Sequence, residues 1–158
     1  LLLTTPAQWR SPRSHGKQGF TIIELLVVMI IMGVLSAIAL PSMMNMTLRA
    51  RQAEGQNYVG AINRAQQLYY MENGQFANLV DLSLGISQSV NYVYSSVPIG
   101  GGSTAEASTE ATPLMTTRGY AGKVWISLMG AGSAATTSIL CEGDLGTVPT
   151  IAGNTCPP

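Results

Sequence analysis

The chain has 158 residues, enough for one domain with its own core, and its eight Lys and Arg balance eight Asp and Glu to a formal net charge of zero. Charged residues make up only 10%, far below the roughly 25% of an ordinary soluble domain, and leave no electrostatic footprint for nucleic acid. One His (His15) and two Cys (Cys141 and Cys156) are too few for a metal cluster and argue against a Ser-His-Asp or Cys-His site in one chain.

The charges are sorted along the chain. Residues 1–19 hold Arg10, Arg13 and Lys17 and no acid, whereas the remainder holds five cations (Arg49, Arg51, Arg64, Arg118 and Lys123) against all eight acids. A basic leader before an apolar run reads as a targeting segment rather than part of a fold. The run from Phe20 to Leu40 contains a single charge, Glu24. As a helix it spans about 31 Å, close to the thickness of a bilayer core. Pro41 follows and removes one backbone hydrogen bond if the helix continues.

The helix is expected to continue. Tyr58, Ile62, Ala65 and Tyr69 recur at spacings of four, three and four, and Val59, Ala61 and Leu68 widen that stripe. Arg49, Gln52, Gln56, Asn63 and Gln67 supply polar positions, so the segment predicts an amphipathic helix with one face toward a core. Asn73-Gly74 is a stop signal. Residues 75–89 read as a loop anchored by Phe76, Leu79, Leu82 and Leu84. Asn91–Val97 reads as a strand with Tyr92 and Tyr94 on one face and Val93 on the other. Pro98 to Pro113, Gly-rich and then mixed Ser, Thr, Ala and Glu, reads as a mobile surface loop, and its Ser/Thr-rich part as solvated. A second strand is expected at Lys123–Leu128 within Arg118–Met129, and a third at Thr136–Cys141. No G-x-x-x-x-G-K-[ST] loop binds nucleotide, and no cofactor site is expected.

The informative block is Gly19-Phe20-Thr21-Ile22-Ile23-Glu24: a basic leader ends in Gly, an aromatic begins the apolar run, and a carboxylate sits at its fifth position. This resembles the type IV pilin family and the related pseudopilins of type II secretion systems. The resemblance is specific over roughly residues 16–45 and extends more loosely to Phe76 through NRAQQLYYMENGQF, similar to cyanobacterial pilin-like sequences. A plain single-pass anchor, or a signal peptide cut at Ala37-Ile38-Ala39, also explains an apolar run. Glu24 inside the run and Pro41 two residues past such a cut count against it.

The resemblance implies an α+β fold, a long N-terminal helix whose second half packs on a small antiparallel sheet. It divides the chain into a cleaved leader (residues 1–19), a membrane and filament-core helix (20–41) and a globular head (42–158). A prepilin peptidase would cut between Gly19 and Phe20, and the new amino group of Phe20 would be methylated. The subunit would wait in the inner membrane, single-pass with its head outside the cytoplasm. Assembly machinery there would extract it from lipid into a helical homo-oligomeric filament, an extracellular pilus for motility, adhesion or DNA uptake. Gly33 and Pro41 would be kink points. Cys141 and Cys156 would form a disulfide loop pinning the tail to the sheet, worth roughly 3 kcal/mol. Two unpaired thiols are the alternative.

Glu24 has a physical reading of its own. A lone carboxylate in lipid costs roughly 2.5–3.5 kcal/mol. The nearest cation on offer is the amino terminus made by cleavage at Phe20, so in a staggered bundle Glu24 of one subunit can meet the amine of a neighbour. The aromatics, Tyr69-Tyr70 included, read as core and interface, with too few cations for a nucleic-acid platform. The rival within the resemblance is a secretion pseudopilin, which often binds calcium near its C-terminus. Glu142 and Asp144 alone are too few donors for that ion. A membrane-anchored enzyme is a more distant rival, disfavoured by the lack of a usable His.

Overall fold

The computed structural model describes residues 19–129 and 133–158. The leader expected at residues 1–19 therefore lies, apart from Gly19, outside the described residues. In chain order the elements are α1 (Ile22–Asn73), β1 (Tyr92–Ile99), a 3₁₀ turn at Gly102–Thr104, β2 (Glu106–Pro113), β3 (Arg118–Met129) and β4 (Ser133–Leu145). The chain divides into two compact units between Pro41 and Ser42, and α1 runs through the division.

Helix α1 starts two residues later than expected, because Thr21 caps it. The Thr21 Oγ1 accepts from the Glu24 N–H at 3.3 Å, and Glu24 Oε2 accepts from the Thr21 N–H and hydroxyl, each at 2.8 Å. This reciprocal capping box satisfies donors that a helix start leaves orphaned. The helix ends at the expected place. Gly74 adopts φ 70°, open to glycine, and its N–H donates to the Tyr70 carbonyl at 2.8 Å.

In the head unit, four antiparallel strands form a meander in the order β1-β2-β3-β4. Val59 and Ile62 of α1 meet Tyr92, Tyr94, Ala111 and Tyr120 in the main core, joined by Leu79, Leu82 and Ile86 of the loop after α1. A second cluster joins Phe76 to Ala105, Ala107 and Val124. The same loop covers the outer edge of β1: Leu79 and Ser89 donate backbone N–H groups to Ser96 and Tyr92, and Ser87 accepts from Tyr94. An edge strand is thereby kept from pairing elsewhere.

Two expectations are corrected. Of the expected stripe, Ile62 and Val59 are buried in the core, but Tyr58 and Leu68 are exposed and Ala61, Ala65 and Tyr69 only half-buried; Gly55, Asn63 and Gln66 complete the buried face of α1 instead. Tyr58 is exposed, with its ring edge-on to Tyr94 at 5.2 Å, and Leu68 is 61% exposed. The reason is close approach. A Cβ on Gly122 of β3 would lie 2.5 Å from the Asn63 Oδ1, and one on Gly55 would lie 2.8 Å from the Tyr92 ring. Where helix and sheet meet this closely, glycine and hydrogen-bonded amides fit better than bulky side chains.

The second correction concerns Pro98–Pro113, read as a loop. Residues 106–113 form β2, whose Ala107, Thr109 and Ala111 are buried beside Glu106, Ser108 and Glu110 on the other face. Alternation of Ala and Thr with Ser and Glu carries little hydropathy contrast, so its period of two is faint. The sheet thus has four strands rather than three, and β3 and β4 extend beyond their expected cores. Along β1 the expected alternation holds, with Tyr92 and Tyr94 buried and Val93 exposed.

Burial of the three core tyrosines has a pH consequence. It raises the phenols of Tyr92 and Tyr94 above their ordinary 10.0 and pushes Tyr120 up to about 12. Below pH 10 these groups are neutral in both folded and unfolded chains. Above it, the unfolded chain releases protons that the folded chain retains. Head stability is expected to be unaffected by these groups up to about pH 10 and to fall as pH rises toward 12. Phenolate absorbance that rises together with loss of tertiary circular dichroism would verify this; ionisation of all tyrosines before unfolding would contradict it.

Candidate functional site

The N-terminal unit carries the chemistry singled out from sequence. Phe20 is 83% exposed, directly ahead of the capping box. Every large apolar side chain from Phe20 to Leu48 is exposed within the chain. The described residues contain one helix long and apolar enough to cross a membrane by length and composition. Two of its hydroxyls are satisfied locally. Ser36 donates its hydroxyl to the Met32 carbonyl at 2.7 Å, and Thr47 donates to Met43 at 3.0 Å. Gly33 and Pro41 both lie inside α1.

Glu24 is the single charge in that apolar stretch, and Thr21 already binds its carboxylate. Both contacts use Oε2, which leaves Oε1 with no hydrogen bond within the described residues. Thr21 was missed from sequence, although the Thr-x-x-Glu spacing of a capping box was there to find it.

In the head, the tail is fastened to the outer face of the sheet. Cys141 of β4 and Cys156 form a disulfide. The Lys123 ammonium pairs with Glu106 Oε2 at 2.7 Å and donates to the Gly153 carbonyl at 2.8 Å. Lys123 is only 8% exposed, so the sheet cation counted from sequence is a buried fastener, not part of a basic surface. Arg118 likewise pairs with Glu142 at 3.1 Å. That contact engages one of the two carboxylates considered for calcium, and the described residues hold no group of three or more His, Cys, Asp or Glu suited to a metal.

Reduction of the disulfide is expected to destabilise the head by about 3 kcal/mol, the loop-closure contribution for a loop of this size. Thermal melts of the detergent-solubilised full chain with and without reductant measure it. The Lys123 contacts stay in place on reduction, so the tail is expected to loosen without the sheet unfolding at room temperature. An unchanged melting temperature would remove the structural role.

Comparison with known proteins bears on both halves. The family model described as "Type IV pilin-like G and H, putative" matches residues 52–157, and "Prokaryotic N-terminal methylation motif" matches residues 14–40. The chain is 30% identical over 130 residues to the fimbrial protein EcpC of Eikenella corrodens, covering 81% of this chain and 84% of that protein. It is 33% identical over 71 residues to the type IV major pilin protein PilA of Myxococcus xanthus, covering 45% of this chain and 31% of that protein. Type II secretion system core protein G of Klebsiella michiganensis is 28% identical over 64 residues, 40% of this chain and 45% of that protein. No solved structure matches the chain. A capped, exposed apolar helix, an α+β head with its tail disulfide-bonded to the sheet, and matches that together run through nearly the whole chain lead to one family: the chain belongs to the type IV pilins.

Proposed function

We propose that the chain is the polymerising structural subunit of a surface filament. A prepilin peptidase cuts between Gly19 and Phe20 and methylates the new amine of Phe20. Residues 20–41 then hold the subunit in the inner membrane, with the head, residues 42–158, outside the cytoplasm. Membrane assembly machinery transfers the subunit into a filament whose core is made of these helices. The observation that carries this reading is an apolar helical segment exposed on all sides, with one charge, inside the match to the methylation motif. Such a surface is covered by lipid or by copies of itself.

In the assembled core, Glu24 Oε1 accepts from the Phe20 amine of a neighbour while Oε2 keeps its Thr21 contacts. Gly33 and Pro41 are where α1 bends to fit the filament, since Pro41 lacks one helix hydrogen bond and glycine weakens the turn around it. The subunit performs no chemistry of its own. The filament serves motility, adhesion or DNA uptake.

Intact mass of the protein sheared from cells tests the reading. A mass for residues 20–158 plus one methyl and minus two hydrogens is expected in the sheared fraction. Protein that stays in the membrane with residues 1–19 attached would overturn it in favour of a plain anchor. Similarity to core protein G supports a second reading, a secretion pseudopilin; a processed form confined to the membrane fraction would favour that one.

A further inference from the structure

The first ten residues of the head unit are chemically unlike the rest of it. Met43, Met44, Met46 and Leu48 are exposed, Arg49 and Arg51 follow, and no acid occurs between Glu24 and Glu54. The turn from β2 to β3 comes to the same place. The Arg51 guanidinium lies 3.3 Å from the Met115 sulfur, and Leu114 and Met115 are both about half exposed. Met44, Thr47, Leu48 and Arg51 line a shallow groove of about 230 Å³. Strand register explains the convergence. Tyr92 opposes Pro113, and a Cβ on Gly55 would touch Tyr92, so this end of the sheet sits beside the start of the head's helix.

Apolar side chains beside arginines match the interfacial layer of a bilayer. Of the acids at this end, Glu54 accepts from Asn91 at 2.6 Å and Glu142 pairs with Arg118; Asp144 lies exposed at the end of β4. Arg49 stands about 10 Å of helix past Ser42, a distance over which a long side chain can reach back to lipid phosphate. The patch is also continuous in sequence with the segment proposed to span the membrane.

We propose that this end of the head is a membrane-docking foot. Leu48, Leu114 and Met115 rest against the headgroup layer, and Arg49 and Arg51 reach back to phosphates of anionic lipid, before the subunit enters a filament. The proposal rests on the membrane reading given above.

Nitroxide labelling of the full chain tests it. Leu114→Cys carries the probe at the foot, Val80→Cys (an 87% exposed site in the loop after α1) is the aqueous control, and Ile30→Cys reports the span. The chain is reconstituted at high dilution in phosphatidylglycerol vesicles, and collisions with oxygen and with a water-soluble nickel chelate are compared. The expected result is a severalfold lower nickel collision rate at residue 114 than at residue 80. That protection should weaken in phosphatidylcholine and in Arg49→Gln, a side chain without hydrogen bonds or ion pairs among the described residues. Equal, aqueous behaviour at residues 114 and 80 with a lipid-buried Ile30 probe would overturn the foot and leave the span intact. A water-exposed Ile30 probe would overturn the membrane reading itself. Protection at residue 114 that grows with protein per lipid would assign the patch to a second copy and overturn the lipid assignment.

Discussion

Glu24→Ala is expected to leave the subunit processed and in the membrane but to cut its assembly into filaments more than a hundredfold. The argument is a balance of charges in apolar surroundings. In the proposed filament the methylated amine of Phe20 would itself be a cation brought among exposed apolar side chains, and removing its partner would strand it. Breaking such a buried pair costs about 3–5 kcal/mol, and each 1.4 kcal/mol is about tenfold in the equilibrium. Insertion into lipid moves the other way, since losing the carboxylate removes a cost of roughly 2.5–3.5 kcal/mol.

Glu24→Gln separates the two jobs of this residue. Glutamine at the same position can still accept from the Thr21 donors, so the capping box survives while the charge is lost. If charge pairing drives assembly, Gln fails as Ala does; if only the cap matters, Gln restores filaments. Quantifying subunit in sheared and membrane fractions for the three proteins decides. Wild-type yield from Glu24→Ala would end the pairing account.

Gln66→Leu is expected to destabilise the head by about 2–6 kcal/mol, the larger of the head effects. Gln66 is fully buried, and its amide ties α1 to the loop that follows it. The Nε2 donates to the Ala77 carbonyl at 2.6 Å and to Ser96 Oγ at 2.9 Å, while Oε1 accepts from the Ala77 N–H at 3.0 Å. Leucine supplies similar volume and leaves both Ala77 backbone groups unpaired, at about 1–3 kcal/mol each. Ser96 keeps its contact with Thr109 at 3.1 Å.

The loop tied by Gln66 carries Leu79, Leu82 and Ile86 into the core and covers the β1 edge, so loosening it exposes that edge. Gln67→Leu is the comparison. Its amide reaches the Thr136 carbonyl only at 3.4 Å, and the side chain is partly buried, so its loss is expected to cost less than about 1 kcal/mol. Denaturant melts of both variants measure the difference. Equal effects would show that the Gln66 network contributes no more than a surface amide.

Sequence by itself determined the local features. The apolar run with its lone carboxylate, the Asn73-Gly74 helix stop and the alternation of Tyr92, Val93 and Tyr94 are each set by residues a few positions apart, through solvent transfer, backbone freedom or strand pleat. The Thr21–Glu24 cap belongs with them, equally local although unread. Tertiary structure decided which polar residues are core. Asn63 and Gln66 are buried because backbone groups of Ile139 and Ala77 lie where their amides reach. Ala107, Thr109 and Ala111 make a buried strand because β2 lies between β1 and β3, where Ala111 joins the cluster of Val59 and Ile62 and Ala107 that of Phe76. Lys123 is a fastener because Glu106 and Gly153, distant in sequence, converge on it. Polarity and size predict burial only when the neighbour is unknown; once helix, sheet and tail meet, hydrogen-bond partners and available space decide instead.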